Sequence, residues 1–512
     1  MLLFFIFFID YDLSMIFSNE FKPLLRFVKE AQHFASVMAL LQWDQEVFMP
    51  AQALESRSEQ LAFLSAQQYR HQCSKDYEKA LGTLISLSDG RFLRGDFAAH
   101  EKRLLILLWQ DWKKTSLLSE NFVSEFAALK SQAQYHWQQA RSQNKPDLYL
   151  PFLDKIIDYS KAYAARIQPT KNPYDVLLNE YEEGMTADRI DALFSPLQAF
   201  IVQLIKKTTF KQGLSFSGDF DIDIQQKLNQ DLLKNLGFDY QKGRLDVSTH
   251  PFTTSFHPYD VRLTTRYSSS DLMEALSSTV HEAGHGLYEQ GLPLEWAATP
   301  LGQARSLGLH ESQSRLWENM VLKSRPFWSY FYPKCQVAFP HLLGSISQEQ
   351  FYEDISRVQP SFIRVEADEV SYNLHILIRF QLERALIQGD LAVNDLEQAW
   401  NDAYEENLGM RPTTVSEGFL QDVHWSCGLF GYFPTYTLGN LYSAQLYETL
   451  LKEIPDLEDH FRKGSFNSLL KWLRDKVHVK AALYTPETLM QEITGQGLGS
   501  DAFLSYLRLK FE

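Results

Sequence analysis

From about residue 20 to residue 206, apolar side chains return every three or four positions, as in Leu24, Leu25, Phe27 and Val28 and again in Leu104, Leu105, Leu107 and Leu108. That period lines them along one stripe of an α-helix and leaves little room for another fold class. Breaks fall at Pro50, Gly90, Pro146, Pro151 and Pro173, residue types that remove a backbone donor or free the chain. Only 24 glycines and 19 prolines among 512 residues suit helices joined by short connections better than a turn-rich β fold.

The pattern changes once. A Gly/Ser stretch at 213–219 reads as a loop, and helical spacing resumes at Ile222 and stops near Gly237, placed as a C′ glycine. Residues 244–267 then carry paired threonines with Phe252, Phe256, Val261, Leu263 and Tyr267, the signature of strands or a hairpin. From residue 271 to the end, helix returns. No linker divides the chain. The expectation is a mainly α fold: one domain over residues 15–512, two helical halves flanking a deep groove, with a small β hairpin or sheet at the cleft.

Residues 1–9 are apolar but lack a basic start or a small-residue cleavage site, and Asp10 follows at once. Nine residues cannot span a bilayer, so 1–14 read as a non-structural extension with Met15 as the true start. No other stretch is apolar enough for a membrane span. Cys73, Cys335 and Cys427 are too sparse for a disulfide framework, which points to a reducing, cytoplasmic setting. The net charge of −15 with no dense Lys/Arg block argues against a nucleic-acid partner.

The chemistry is concentrated in His281-Glu282-Ala283-Gly284-His285. Asp271 and Glu274 have the spacing of a capping box for its helix, and Gly291 marks its end. One turn apart, His281 and His285 share a face and can bind one metal ion. Glu282 points roughly 100° away, so it can act on water as a general base without being a ligand. Val280, Ala283, Gly284 and Gly286 suit a packed helix whose histidines face a cleft. A catalytic zinc needs a third ligand. Glu289 lies on the same helix and reads as a surface carboxylate, whereas Glu311 and Glu318 lie on the next helical stretch; spacing leaves the choice between these two open.

Five segments in order resemble the carboxypeptidase Taq family of metallocarboxypeptidases: Asp260-Val-Arg262-Leu-Thr264, the His281 motif, His310-Glu311-Ser-Gln-Ser-Arg315, Ile363-Arg364-Val-Glu-Ala367-Asp368 and Gly418-Phe-Leu-Gln421-Asp422-Val-His424-Trp425. The resemblance runs from about residue 41 onwards. It implies removal of single residues from free peptide C-termini with broad specificity, usually excepting proline. It implies Glu311 as third metal ligand, zinc as resident ion with cobalt as a substitute, a neurolysin-like helical body, and a homodimer.

Within that frame Glu282 is the expected base, and His424 and Tyr436 the donors to the developing oxyanion. The substrate carboxylate calls for an arginine fork. Candidates are Arg262, Arg315, Arg364 and Arg411, with Arg364 and loop-borne Arg411 preferred, although Arg364 and Asp368 also have the spacing of an intrahelical ion pair. Asp260 and Arg262 share one face of a strand, as groove wall or as an ion pair orienting the hairpin. Asp368 or Asp422 are the expected acceptors fixing the ligand histidines. Two other readings share the motif: a metallo-oligopeptidase cutting internally, and a peptide-binding module with a structural metal.

Overall fold

The computed structural model describes Leu13 and residues 16–208, 213–214 and 218–512. The expectation for residues 1–14 therefore falls outside the described residues except at Leu13. No helix among them is long and apolar enough to cross a membrane.

Helices dominate, and among the described residues the strands are confined to one place. At the N-terminal end, Lys22–Val47 and Leu54–Gln72 form a helical hairpin. The first helix buries Leu24, Leu25, Phe27 and Val28, whereas the second buries no side chain. Those four residues join Leu104, Leu105 and Leu301 in a small core of their own. A second, much larger core runs through the rest of the chain and includes the fully buried Trp317, Trp328 and Trp400. Burying one such side chain contributes about 1.5–3 kcal/mol.

The strand region is a three-stranded sheet of order β1-β3-β2: β1 (Gly243–Val247), β2 (Thr253–His257) and β3 (Asp260–Thr265). β2 and β3 are the expected antiparallel hairpin, with an irregularity between Ser255 and His257. β1 adds a parallel partner on the far side of β3, pairing Leu245 with Leu263. Gly237 closes the preceding helix in the left-handed region at φ 99°, where only glycine is unstrained.

The motif helix, Leu272–Glu289, packs on this sheet through a buried face that includes Ala275, Leu276, Ala283 and Leu287. Asp271 caps it by accepting from the Met273 amide. The expected capping box does not close, because Glu274 pairs with Arg266 instead. Nor does Gly291 act as a left-handed stop: it lies beyond the helix, where a Cβ would meet His478 Nδ1 at 2.4 Å.

Two other glycines set the distances at the site. A Cβ on Gly284 would lie 2.5 Å from the Gln313 carbonyl oxygen, and one on Gly439 would lie 2.5 Å from Glu311 Cγ. The helix Leu307–Arg315, which carries Glu311, is thereby drawn against the motif helix on one side and against the helix Pro434–Glu453 on the other. Past Arg315 it continues as a π-helical turn over Leu316–Leu322, a wide turn that re-aims side chains and tends to occur at functional sites.

Candidate metal centre and active site

His281 and His285 project from one face of the motif helix toward Glu311. Their Nε2 atoms lie 3.7 and 3.4 Å from Glu311 Oε2, and the three ligand atoms fall within 4.8 Å of one another. The spacing left Glu311 and Glu318 open as third ligand, and the structure separates them. Glu318 Oε2 sits 2.9 Å from His281 Nδ1. Accepting from that nitrogen leaves the Nε2 lone pair aimed at Glu311. Two imidazole nitrogens and a carboxylate oxygen are the donor set of a catalytic zinc with an open position, so the residues fit a divalent cation. Asp368 and Asp422, expected as the acceptors, are not: Asp368 caps Val370 and Ser371, and Asp422 pairs with arginines.

Burial and buried charges shift each donor: burial alone would lower His281, but Glu311 and Glu318 raise it. Burial alone would raise the Glu311 carboxyl, but Arg315 together with the two histidines holds it well below the usual range. Arg315 Nε donates to Glu311 Oε1 at 2.7 Å. Burial likewise opposes ionisation of Glu318, which Lys323 and Arg315 overcome; Lys323 Nζ donates to Glu318 Oε1 at 2.8 Å. Burial, with His310 adding to it, lowers His285 to about 3. The His285 ring stacks on His310 with centroids 4.4 Å apart. His310 Nε2 meets Glu289 Oε1 at 2.9 Å, so Glu289 is a largely buried partner of the site rather than the surface carboxylate expected.

Glu282 is 6% exposed and is not one of the three donors. The Thr253 hydroxyl donates to its Oε2 at 2.6 Å. Burial raises its carboxyl, with His281 and that hydrogen bond pulling the other way. On the far flank His424 Nε2 lies 3.3 Å from the Tyr436 hydroxyl. Tyr436 sits in the first turn of the helix that brings Gly439 onto Glu311.

The profile of the carboxypeptidase Taq (M32) metallopeptidases matches residues 23–511. The chain is 37% identical to thermostable carboxypeptidase 1 of Thermus thermophilus, over 96% of this chain and 98% of that one. It is 35% identical to carboxypeptidase 1 of Bacillus subtilis, over 97% and 98%. The crystal structure of the M32 carboxypeptidase from Deinococcus radiodurans R1 superposes with a TM-score of 0.92 at 38% identity, covering 96% of this chain and 98% of that one. The chain belongs to the carboxypeptidase Taq (M32) metallopeptidase family. It is a metallocarboxypeptidase with a divalent-metal site.

In this M32 enzyme the four arginines separate by what already holds them. Arg364 does not pair with Asp368, because its segment is a short 3-10 turn, Arg364–Glu366, rather than a continuing α-helix. Its Nε and Nη2 instead donate to Asp422 Oδ1 at 3.0 and 2.8 Å, and Nη1 donates to the Tyr372 hydroxyl at 3.2 Å. Its guanidinium lies 5.1 Å from the centre of the Tyr436 ring. Arg379 Nε donates to the other Asp422 oxygen at 2.7 Å. Arg411 is exposed, with Nη1 donating to Asp402 and Glu405 at 2.8 Å each. Arg262 pairs with Asp260 at 2.9 Å and lies over Trp43 at 4.2 Å, tying the sheet to the N-terminal hairpin. Arg315 is held by Glu311 and Glu318.

Sequence reasoning missed Thr253 and Lys323 as partners of the site. It also missed Glu383, a fully buried carboxyl that accepts from Tyr174, Trp425 and the Gly431 amide. The last two lie in the segment between His424 and Tyr436. Thr253 carried a signal, since it opens one of the Thr-Thr pairs of the strand region; the others had none.

Proposed function

We propose that this metallocarboxypeptidase releases single residues from the free C-termini of peptides with broad specificity, with zinc at His281, His285 and Glu311 and with Glu282 as general base. Residues 15–512 act as one catalytic unit. The observation that carries the reading is the three-donor cluster with Glu282 adjacent in sequence but fastened to Thr253, off the ligand set.

Bound there, a divalent cation supplies a Lewis acid that polarises the scissile carbonyl and makes water more acidic. Glu282 takes a proton from the attacking water and passes it to the leaving amine. The Thr253 hydroxyl keeps that carboxylate turned toward the cleft. Burial, opposed only in part by Asp422, lowers His424 to about 4, so its ring is neutral at ordinary pH. With Tyr436 it offers hydrogen bonds to the oxyanion as charge develops. Arg364 lies beside Tyr436 with two N–H groups beyond those already used, and it reads the terminal carboxylate.

Glu282→Gln is expected to abolish turnover while metal content stays near that of the parent enzyme. Mass analysis of a free peptide and its C-terminally amidated form completes the test. Stepwise loss of single residues from the free form alone is expected; internal cleavage of both forms would replace this reading with that of an oligopeptidase.

A further inference from the structure

A cavity of about 360 Å³ lies between the first hairpin helix and β2. Gln42, Trp43 and Glu46 line one side, and Phe252, Thr253 and Thr254 the other. Thr253 therefore forms part of its wall and also donates to Glu282, so the cavity opens beside the base. β2 is the outer strand of its sheet, the position from which a strand can guide an extended chain, although the Ser36 hydroxyl of the first hairpin helix already donates to its Phe256 carbonyl.

Glu46 is exposed, and its carboxylate has no hydrogen-bond or ion-pair partner among the described residues. The acids nearest it in the chain and the sheet are all engaged: Asp44 by Arg57, Asp246 by Arg244 and Asp260 by Arg262. No Lys or Arg lines the cavity, and His250 is its other titratable side chain. One unbalanced negative charge thus faces a channel next to the reacting centre.

The direction of the substrate follows from the proposed exopeptidase reading, on which this inference rests. Arg364, His424 and Tyr436 stand on the Glu311 flank, whereas β2 and the hairpin stand on the Thr253 flank. An exopeptidase accommodates a single residue beyond the scissile bond, at the arginine. The rest of the peptide leaves past Thr253.

We propose that Glu46 reads the side chains upstream of the scissile bond and favours Lys and Arg there. The test uses the metal-loaded enzyme at pH 8, where the charge contrast rests on the carboxylate. Two peptide sets share one C-terminal residue and carry Lys or Glu at the first or the second position upstream of the bond. An exposed charge pair supplies about two- to fivefold discrimination. The Lys peptide should lead by that factor in kcat/KM, mainly through KM, and the lead should shrink at high salt. Glu46→Lys should reverse it. Asp231→Lys, the same charge change on an exposed helix outside the cavity, should not. A Lys-to-Glu ratio unchanged by Glu46→Lys, with amidated peptides still resistant, would overturn the assignment of Glu46 alone. Equal cleavage of amidated peptides would remove the exopeptidase reading and the upstream placement together.

Discussion

Glu318 Oε2 lies 2.9 Å from His281 Nδ1, while its other oxygen takes the Lys323 ammonium at 2.8 Å. A single carboxylate thereby fixes the tautomer of an imidazole in the proposed metal site and is itself held in place. Glu318→Gln keeps the shape but removes the charge, so the histidine is held less firmly and is a weaker donor. Loss of such an outer partner typically lowers metal affinity by about 10–100-fold. Competition against a chelator, with circular dichroism to confirm folding, measures it; unchanged affinity would show that Glu318 does not orient the ligand.

The Thr253 hydroxyl holds Glu282 from the sheet side. A hydrogen bond to a charged group contributes about 1.5–3 kcal/mol, or roughly tenfold or more in rate when it acts in the transition state. Thr253→Val removes it with little change of volume. The expected outcome is a fall in kcat of about that size with metal content unchanged. A rise in KM alone would place the hydroxyl on the substrate rather than on the base.

Arg364 and Arg411 were equivalent in the sequence, and their surroundings now separate them. Arg411 is fastened on the surface to two acids of the helix Leu396–Leu408, and Arg411→Ala should leave KM within about twofold, as exposed ion pairs contribute little. Arg364→Lys keeps a cation beside Asp422 but loses the fork. It should raise KM for free-carboxylate peptides by roughly tenfold or more, the worth of a charge-assisted bond. Steady-state kinetics on both variants decides the matter, and the reverse ranking would transfer the role to Arg411.

The legible part of this protein was the part written in local spacing. A 3.6-residue period gave the helices, and the four-residue step from His281 to His285 put two imidazoles on one face. Alternation in residues 244–267 gave β2 and β3. Hidden features depend on encounters between distant segments. β1 pairs directly with β3 in parallel although β2 lies between them in sequence, which no local pattern encodes. Gly284 and Gly439 matter for the backbone and side chain that would collide with a Cβ, not for any turn. The role of Glu318 follows from a π turn that shifts the helical register after Arg315. Arg364 and Asp368 misled for the same reason, since i,i+4 spacing predicts a pair only where an α-helix exists.

Glu383 offers a test that does not involve the metal. Its carboxyl is fully buried on the helix Tyr372–Gln388 and accepts from Tyr174, Trp425 and the Gly431 amide. Burial pushes its pKa up to about 8, even though all three donors favour the charged form. An unfolded glutamate titrates near about 4.3. Between those two values the folded protein keeps a proton that the unfolded chain has released, so this group makes stability fall as pH rises. The slope is roughly 1.4 kcal/mol per pH unit within the window and vanishes above it. Glu383→Gln keeps an accepting oxygen for Tyr174 and cannot titrate. Urea unfolding of both proteins at intervals from pH 5 to pH 9, with metal content matched, isolates the contribution as a difference between the curves. The wild-type protein should lose ground steadily to the variant up to about pH 8 and then run parallel to it. A difference that is flat across the whole range would mean that the three donors already keep Glu383 ionised, and that the loop between His424 and Tyr436 is anchored by a carboxylate rather than by an acid.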